Sequence, residues 1–364
     1  MNSLRPSFIE DIRLKVQATS KQQRHRAAER CELRKNPDNN LFRVKSADQW
    51  LKDEHGKPAA RQLMGSLWYE DELCILFADT NLGKSILAVQ LGYSLGKLDN
   101  IEPFCCQLDE AVKVLYIDFE LSVKQFKTRY THPLYGTHHF GDNFFRAEFN
   151  PAGDNPMLYD KYDSYIRNEI EATISSTKAR VLIIDNITCM GNSTDYAGSA
   201  IPLMKNLKAL KIKHNLSVLV LAHTPKRNLH KPITVNDLQG SKMLINFADS
   251  AFAIGQSHAD PGIRYLKQIK QRNTASDYDA AHVCLFRINK QQSFLCFEFL
   301  GYDIEQAHLQ KAGEVLKDEI IERIEVLSRQ GLSVRQVAAH LKIGSSTVGR
   351  VLKKMKENMG NPSA

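Results

Sequence analysis

From residue 61 onward the chain alternates short apolar runs with longer amphipathic stretches. The runs at 73–77, 112–117, 145–149, 181–184, 218–222, 250–254, 264–271 and 283–288 predict strands. At 84–95, 159–175 and 201–214 the apolar residues recur at helical spacing. This alternation predicts an α/β domain, a mostly parallel sheet with flanking helices. The last strands follow one another closely, which predicts antiparallel pairs at one sheet edge. Before residue 61 the pattern changes. Phe8, Ile12 and Val16 share one helical face, but the rest of 1–60 is polar and basic. That is too little apolar mass for a core, so the segment reads as an arm or docking piece. From 312 to 358 the pattern is wholly helical. Leu316, Ile320, Ile324 and Leu327 form one stripe, which Gly331 terminates. Ser333 is placed to cap a second helix with Val334, Val337, Ala338 and Leu341 inward. Ser345 is placed to cap a third, with Val348, Val351, Leu352 and Met355 apolar.

Composition adds exclusions. With 364 residues, 43% hydrophobic and 25% charged, the chain falls outside the disordered class and is long enough for two to three domains. No apolar run approaches the length of a membrane span, and the N-terminus lacks the apolar stretch of a secretory signal. A cytoplasmic protein without a membrane partner is expected. Cys105 and Cys106 are adjacent and the other cysteines are scattered without C-x-x-C spacing, which favours reduced thiols over a disulfide framework or zinc site. The net charge of +8 calls for an anionic partner, and its placement says more. Arg329, Arg335, Lys342, Arg350, Lys353, Lys354 and Lys356 fall in one stretch that contains no carboxylate.

The candidate chemistry begins at the first strand. LCILF runs into ADTNLGKS and then ILAVQL, which reads as a buried strand, a tight loop and a helix opening at Gly83. Such a loop aims backbone N–H groups and a helix N-terminus at one point, where a polyphosphate binds. Asp79, Thr80, Asn81, Leu82, Gly83, Lys84, Ser85 and Ile86 would form the nucleotide site. Lys84 would reach the β- and γ-phosphates of ATP, and the Ser85 hydroxyl would hold Mg²⁺. The first glycine of GxxxxGK[ST] is Ala78 here, so the loop entry is expected to differ. The strand at 112–117 ends in Asp118-Phe119-Glu120. Glu120 would polarise the attacking water, with Asp118 standing behind it on the same face. VLIID ends in Asp185, a second Mg²⁺ ligand, and VLVLAH ends in His223, placed to sense the γ-phosphate.

These segments, in this order, resemble the RecA-like ATPases, and most closely the DnaB/RepA branch of hexameric replicative helicases. LYIDFELS matches that branch's catalytic glutamate, and LAHTPK resembles its His-bearing sensor. LKQIKQRN (266–273) resembles the K-x-R strand whose cations reach the neighbouring subunit's γ-phosphate. By that match Lys270 and Arg272 act in trans. ADTNLGKSILA, with LFRVKSADQW upstream, is similar to ATPases of bacterial mobilizable elements, including TnpC-like proteins. The resemblance covers 61–305 and implies a homo-oligomer, a hexameric ring. It also implies that the loops 186–196 and 224–238 face a central channel. The second carries Lys226, Arg227, His230 and Lys231, which suits single-stranded DNA.

LSVRQVAAHLKIGSSTVGRVLKK resembles a resolvase/Hin-type helix-turn-helix. Its recognition helix would begin near Ser346. Ser346, Thr347, Gly349, Arg350, Lys353 and Lys354 would face duplex DNA. The whole reads as an ATP-hydrolysing DNA motor or remodeller. The alternative is a DNA-bound regulator or scaffold in which ATP controls only assembly.

Overall fold

The computed structural model describes residues 42–150, 162–187, 196–225, 227–238, 242–310 and 312–360, with side chains omitted at 162–164, 196–201, 242–243, 312–319 and 354–360. The expected helix through Phe8, Ile12 and Val16 lies outside the described residues. The chain divides between Ala59 and Ala60, and each unit is taken by itself. The described part of the first carries α1 (Ala47–Glu54), whose Ser46 hydroxyl accepts the Gln49 N–H at 3.1 Å as an N-cap.

The second unit opens with a short hairpin, β1 (Gln62–Met64) and β2 (Trp68–Tyr69). Then come β3 (Leu73–Ala78), α2 (Lys84–Lys97), β4 (Val114–Asp118) and α3 (Val123–Arg129). A small ribbon follows, β5 (Thr131–His132) with β6 (Gly136–Thr137), and then β7 (Phe144–Glu148). Next are α4 (Tyr162–Thr177), β8 (Val181–Asp185), α5 (Tyr196–His214) and β9 (Ser217–His223). The sheet is completed by α6 (Lys242–Phe247), β10 (Ser250–Gln256), β11 (Ile263–Lys270), β12 (Val283–Gln291) and β13 (Phe294–Asp303).

Among the described residues, nine strands form one sheet in the order β13-β12-β11-β10-β3-β9-β8-β4-β7. From β10 to β7 every neighbour is parallel, and β11 to β13 add on antiparallel, as the close spacing of the late strands predicts. β9 lies between the first strand and the Asp185 strand, and the whole is a RecA-like α/β fold. β13 was not anticipated from the pattern, and neither were β1, β2 and the β5–β6 ribbon. Strand periodicity sorts the core into two layers. Cys74, Leu76, Val114, Tyr116, Ile183 and Leu221 pack with α2 on one face. Leu73, Ile75, Phe77, Leu115, Ile184 and Val220 pack with α4 and α5 on the other. The predicted strand at 145–149 begins and ends one residue earlier, and Phe149 is exposed. α5 begins at Tyr196, not at residue 201, and takes Pro202 within it.

After β13 come α7 (Ala312–Arg329), α8 (Val334–Leu341) and α9 (Ser345–Gly360). Gly331, at φ +85°, ends α7 as expected. Ser333 and Gln336 form a capping box for α8. The three helices meet on Ile324, Val337, Ala338 and Val348. Two expectations change here. Val334 is 37% exposed, because the packing centres one turn later, on Val337. Ser345 is not a cap but the first residue of α9, whose Thr347 and Val348 N–H groups bond to the Gly344 carbonyl. Among the described residues no helix is long and apolar enough to cross a membrane. Cys74, Cys105, Cys106, Cys284 and Cys296 are free thiols.

Candidate active site

The site lies at the carboxyl ends of β3, β4, β8 and β9. Register aligns those ends, pairing Ala78 with His223 and Asp118 with Asp185. Period two then turns Tyr116, Asp185 and His223 toward the face that carries α2. The phosphate loop uses left-handed backbone at Asn81 (φ +62°) and Gly83 (φ +95°). A Cβ at Gly83 would stand 2.7 Å from Ile288 Cδ1 and 2.9 Å from Phe297 Cε2, so the antiparallel extension presses directly on the loop. Ala78, by contrast, is an extended residue of β3 with its side chain in the core. Its Cβ therefore obstructs nothing, and the departure from glycine at this position needs no altered loop.

Lys84 is buried. Its Nζ donates to the carbonyls of Ala78 at 2.9 Å and Asp79 at 3.0 Å, and lies 3.1 Å from His223 Nδ1. Burial lowers its pKa, while Asp185, Glu120 and Asp79 push the other way. Across the cleft, Glu120 accepts from Asn186 Nδ2 and stands 3.3 Å from His223 Nε2, and Asn186 Nδ2 is 2.9 Å from that same nitrogen. The His223 bond is the main reason that the Glu120 carboxyl is held below its usual range, and Lys84 adds to it. Thr224 donates to the Asp79 carboxylate, tying the end of β9 to the phosphate loop.

Asp185 is 1% exposed, and Tyr116 donates to its Oδ2 at 2.6 Å. Burial pushes its carboxyl up to about 6, against hydrogen bonds from Ser85 and Tyr116. A desolvated carboxylate beside a hydroxyl fits Mg²⁺, which keeps most of its waters and takes one or two protein ligands plus phosphates. Asp118 does other work. Its Oδ1 accepts the N–H groups of Glu120 at 3.0 Å and Leu121 at 2.9 Å, and its Oδ2 accepts Arg146 Nε at 2.9 Å. Arg146 also donates to the Leu121 carbonyl, so the turn that carries Glu120 is held from both sides.

The sequence of the AAA domain family matches residues 39–228. The chain belongs to the AAA domain family. It is thereby a P-loop ATPase, and the matched stretch of the AAA domain contains Lys84, Ser85, Glu120, Asp185 and His223. Among solved structures, the chain is similar to a KaiC-like protein from the hyperthermophilic archaeon Pyrococcus horikoshii OT3. Identity is 11% and the TM-score 0.43, over 64% of this chain and 91% of that one. No curated protein matches the chain.

Not every expected site residue joins the cleft. Lys270 and Arg272 lie toward the other end of the sheet, since Lys270 pairs with Ala251 near the start of β10. Lys270 Nζ donates to the carbonyls of Ile245 at 2.6 Å and Ala248 at 2.8 Å, and Arg272 pairs with Asp249 at 3.1 Å. In the loop 224–238, Lys226 lies outside the described residues and Lys231 is exposed. Arg227 corrects the expectation of a DNA-facing side chain. It is only 6% exposed and turns inward, donating to the Lys231 carbonyl at 2.8 Å with its Nε 3.9 Å from Asp237. The loop's far end is fixed by the buried Lys267–Glu305 pair, which binds Ile233 through both its carbonyl and its N–H. Ser346, Thr347, Arg350 and Lys353 are exposed on α9, and the Lys354 side chain lies outside the described ones. Sequence reasoning missed Asn186, Tyr116, Arg146, Thr224 and Arg129. Arg129 lines the same cleft as Lys84 and Glu120, a cavity of about 220 Å³.

Proposed function

We propose that this AAA-domain ATPase is a Mg²⁺-dependent, ring-forming motor or remodeller of DNA, of the DnaB/RepA helicase or mobile-element kind. Lys84 stabilises phosphate charge, Ser85 and Asp185 hold the metal, Glu120 orients the water and His223 senses the γ-phosphate. Lys270 and Arg272 complete the neighbour's site in a homo-oligomer, a hexamer. Single-stranded DNA takes the channel, and duplex binds a C-terminal helix-turn-helix made of α8 and α9.

The observation that carries the DNA half is the outer face of α9. Ser346, Thr347, Arg350 and Lys353 are all exposed there, in a stretch from 329 to 356 without a carboxylate. The test is the ATPase rate with and without single- and double-stranded DNA, alongside the mass of the assembly. Stimulation by single strands and a multimeric mass are expected. A monomer indifferent to DNA overturns the reading. The inward turn of Arg227 removes one cation from the channel loop and favours a second reading, an ATP-controlled scaffold addressed by the C-terminal helices. Strand displacement on a forked duplex separates the two, since a scaffold displaces nothing.

A further inference from the structure

We propose that Arg129 is a second catalytic cation of the ATPase site, supplied in cis. It would neutralise the transferred phosphoryl group beside Lys84. The proposal rests on the ATP-hydrolysing reading and assigns a residue that reading does not use.

Arg129 ends α3, the helix that follows Glu120, and it lines the cleft together with Glu120, Lys84 and Ser85. Both ends of that helix are fixed. At the start, Ser122 and Gln125 form a capping box, and Arg146 holds the Leu121 carbonyl. At the end, Tyr130 is 1% exposed, and Lys290 Nζ donates to the carbonyls of Thr128 at 3.1 Å and Thr131 at 2.7 Å. Lys290 therefore already satisfies the carboxyl terminus of the helix, and Arg129 is not needed there. Among the described residues Arg129 has neither a hydrogen bond nor an ion pair with a carboxylate. Among the described residues, the neighbouring cations are engaged: Lys84 by two carbonyls and His223, and Arg146 by Asp118 and Glu148. A guanidinium on an anchored helix, facing a phosphate cleft and paired with no anion among the described residues, is preorganised for charge that arrives with the substrate.

In the reaction, the water oxygen bonds to the γ-phosphorus as the bond to the β,γ-bridging oxygen breaks. The bridging oxygen leaves with that electron pair as ADP, and the water's proton passes to Glu120. Negative charge shifts toward the bridging and terminal oxygens, where a second fixed cation stabilises the transition state more than the ground state.

The test compares full-length wild type with Arg129→Ala and Arg129→Lys. Arg129→Ala is expected to lower kcat for ATP about 100-fold or more. Affinity for ADP should stay within about threefold, and the extra affinity for ADP with aluminium fluoride should disappear. Arg129→Lys, which keeps the charge but not the fork, should fall between. Co-assembly of Arg129→Ala with Lys84→Ala subunits separates cis from trans action. If Arg129 serves its own subunit, every mixed site lacks one cation and no activity returns. Recovery of activity in the mixture overturns the cis assignment. A kcat for Arg129→Ala equal to that of an active wild type overturns the proposal and leaves the ATPase reading standing. A wild type that hydrolyses no ATP overturns that reading itself.

Discussion

Asn186, His223 and Glu120 hold one another within hydrogen-bond reach, and Lys84 joins them through His223. In this chain the Glu120 carboxylate and the Lys84 ammonium group are thus linked by a single imidazole. Glu120→Gln preserves size and most hydrogen bonding but cannot accept the proton of the attacking water. It is expected to bind ATP normally and to lose at least about 100-fold in kcat, a split visible by comparing nucleotide titration with phosphate release. Lys84→Ala should weaken binding as well, and a Glu120→Gln turnover equal to wild type would refute the assignment. Lys84, Ser85, Asp185, Glu120 and His223 were legible in the sequence because each lies at the end of an apolar run or just after the turn that follows one, where a parallel sheet must present its ligands. Asn186, Arg146 and Thr224 were not, because their roles depend on contacts between strands remote in sequence. Arg146 reaches Asp118 only because β7 lies beside β4. Arg129 depends on the length of α3, a helix too short to show a periodic pattern.

At the level of elements, the phosphate loop is set by the strand before it and by the extension that presses on it. Gln90 of α2 donates to the Phe297 carbonyl at 3.1 Å and accepts the Phe297 N–H at 2.8 Å, which locks β13 onto the helix that the loop opens. β13 escaped the pattern because its apolar residues fall on both faces and one glycine, Gly301, interrupts it. The two ends of the loop should respond differently to substitution. Gly83→Ala forces left-handed backbone on an alanine, at a cost of roughly 1–3 kcal/mol, and drives its Cβ against Ile288 and Phe297. It should lower the thermal midpoint and weaken ATP binding at least about tenfold. Ala78→Gly, which restores the usual loop residue, should leave ATP affinity unchanged because Ala78 belongs to the strand. Its expected cost is strand stability alone, about 0.5–1 kcal/mol, read from chemical denaturation. A marked gain in nucleotide affinity for Ala78→Gly would show that the first position shapes the loop after all.

For the whole molecule the question is what one subunit lacks and what its C-terminal helices reach. Lys270 and Arg272 stand away from their own cleft, so any catalytic role for them requires a neighbour. Arg272→Ala should be inactive alone, yet regain activity when co-assembled with Lys84→Ala, the opposite of the outcome expected for Arg129. Its half-exposed ion pair with Asp249 contributes only about 0–1 kcal/mol, so the variant should remain folded and the mixture interpretable. The C-terminal helices pose a separate test in the full chain. Ile324, Val337, Ala338 and Val348 give them a core of their own, and α9 turns Arg350 and Lys353 outward. If that face meets duplex DNA, affinity falls steeply with salt, because each phosphate contact releases condensed counterions. Lys353→Ala should then reduce the slope of log affinity against log salt by about 0.9, with the order of preferred sequences unchanged. Ser346→Ala or Thr347→Ala, in the first turn of α9, should leave the slope alone and reorder the preferred sequences, because that turn is where base edges come within reach. ATP hydrolysis without DNA should be the same in all three variants, since among the described residues none that lines the cleft lies beyond β13. A slope for Lys353→Ala equal to that of wild type would mean that α9 does not meet phosphate, and would turn the three helices into a protein-docking bundle.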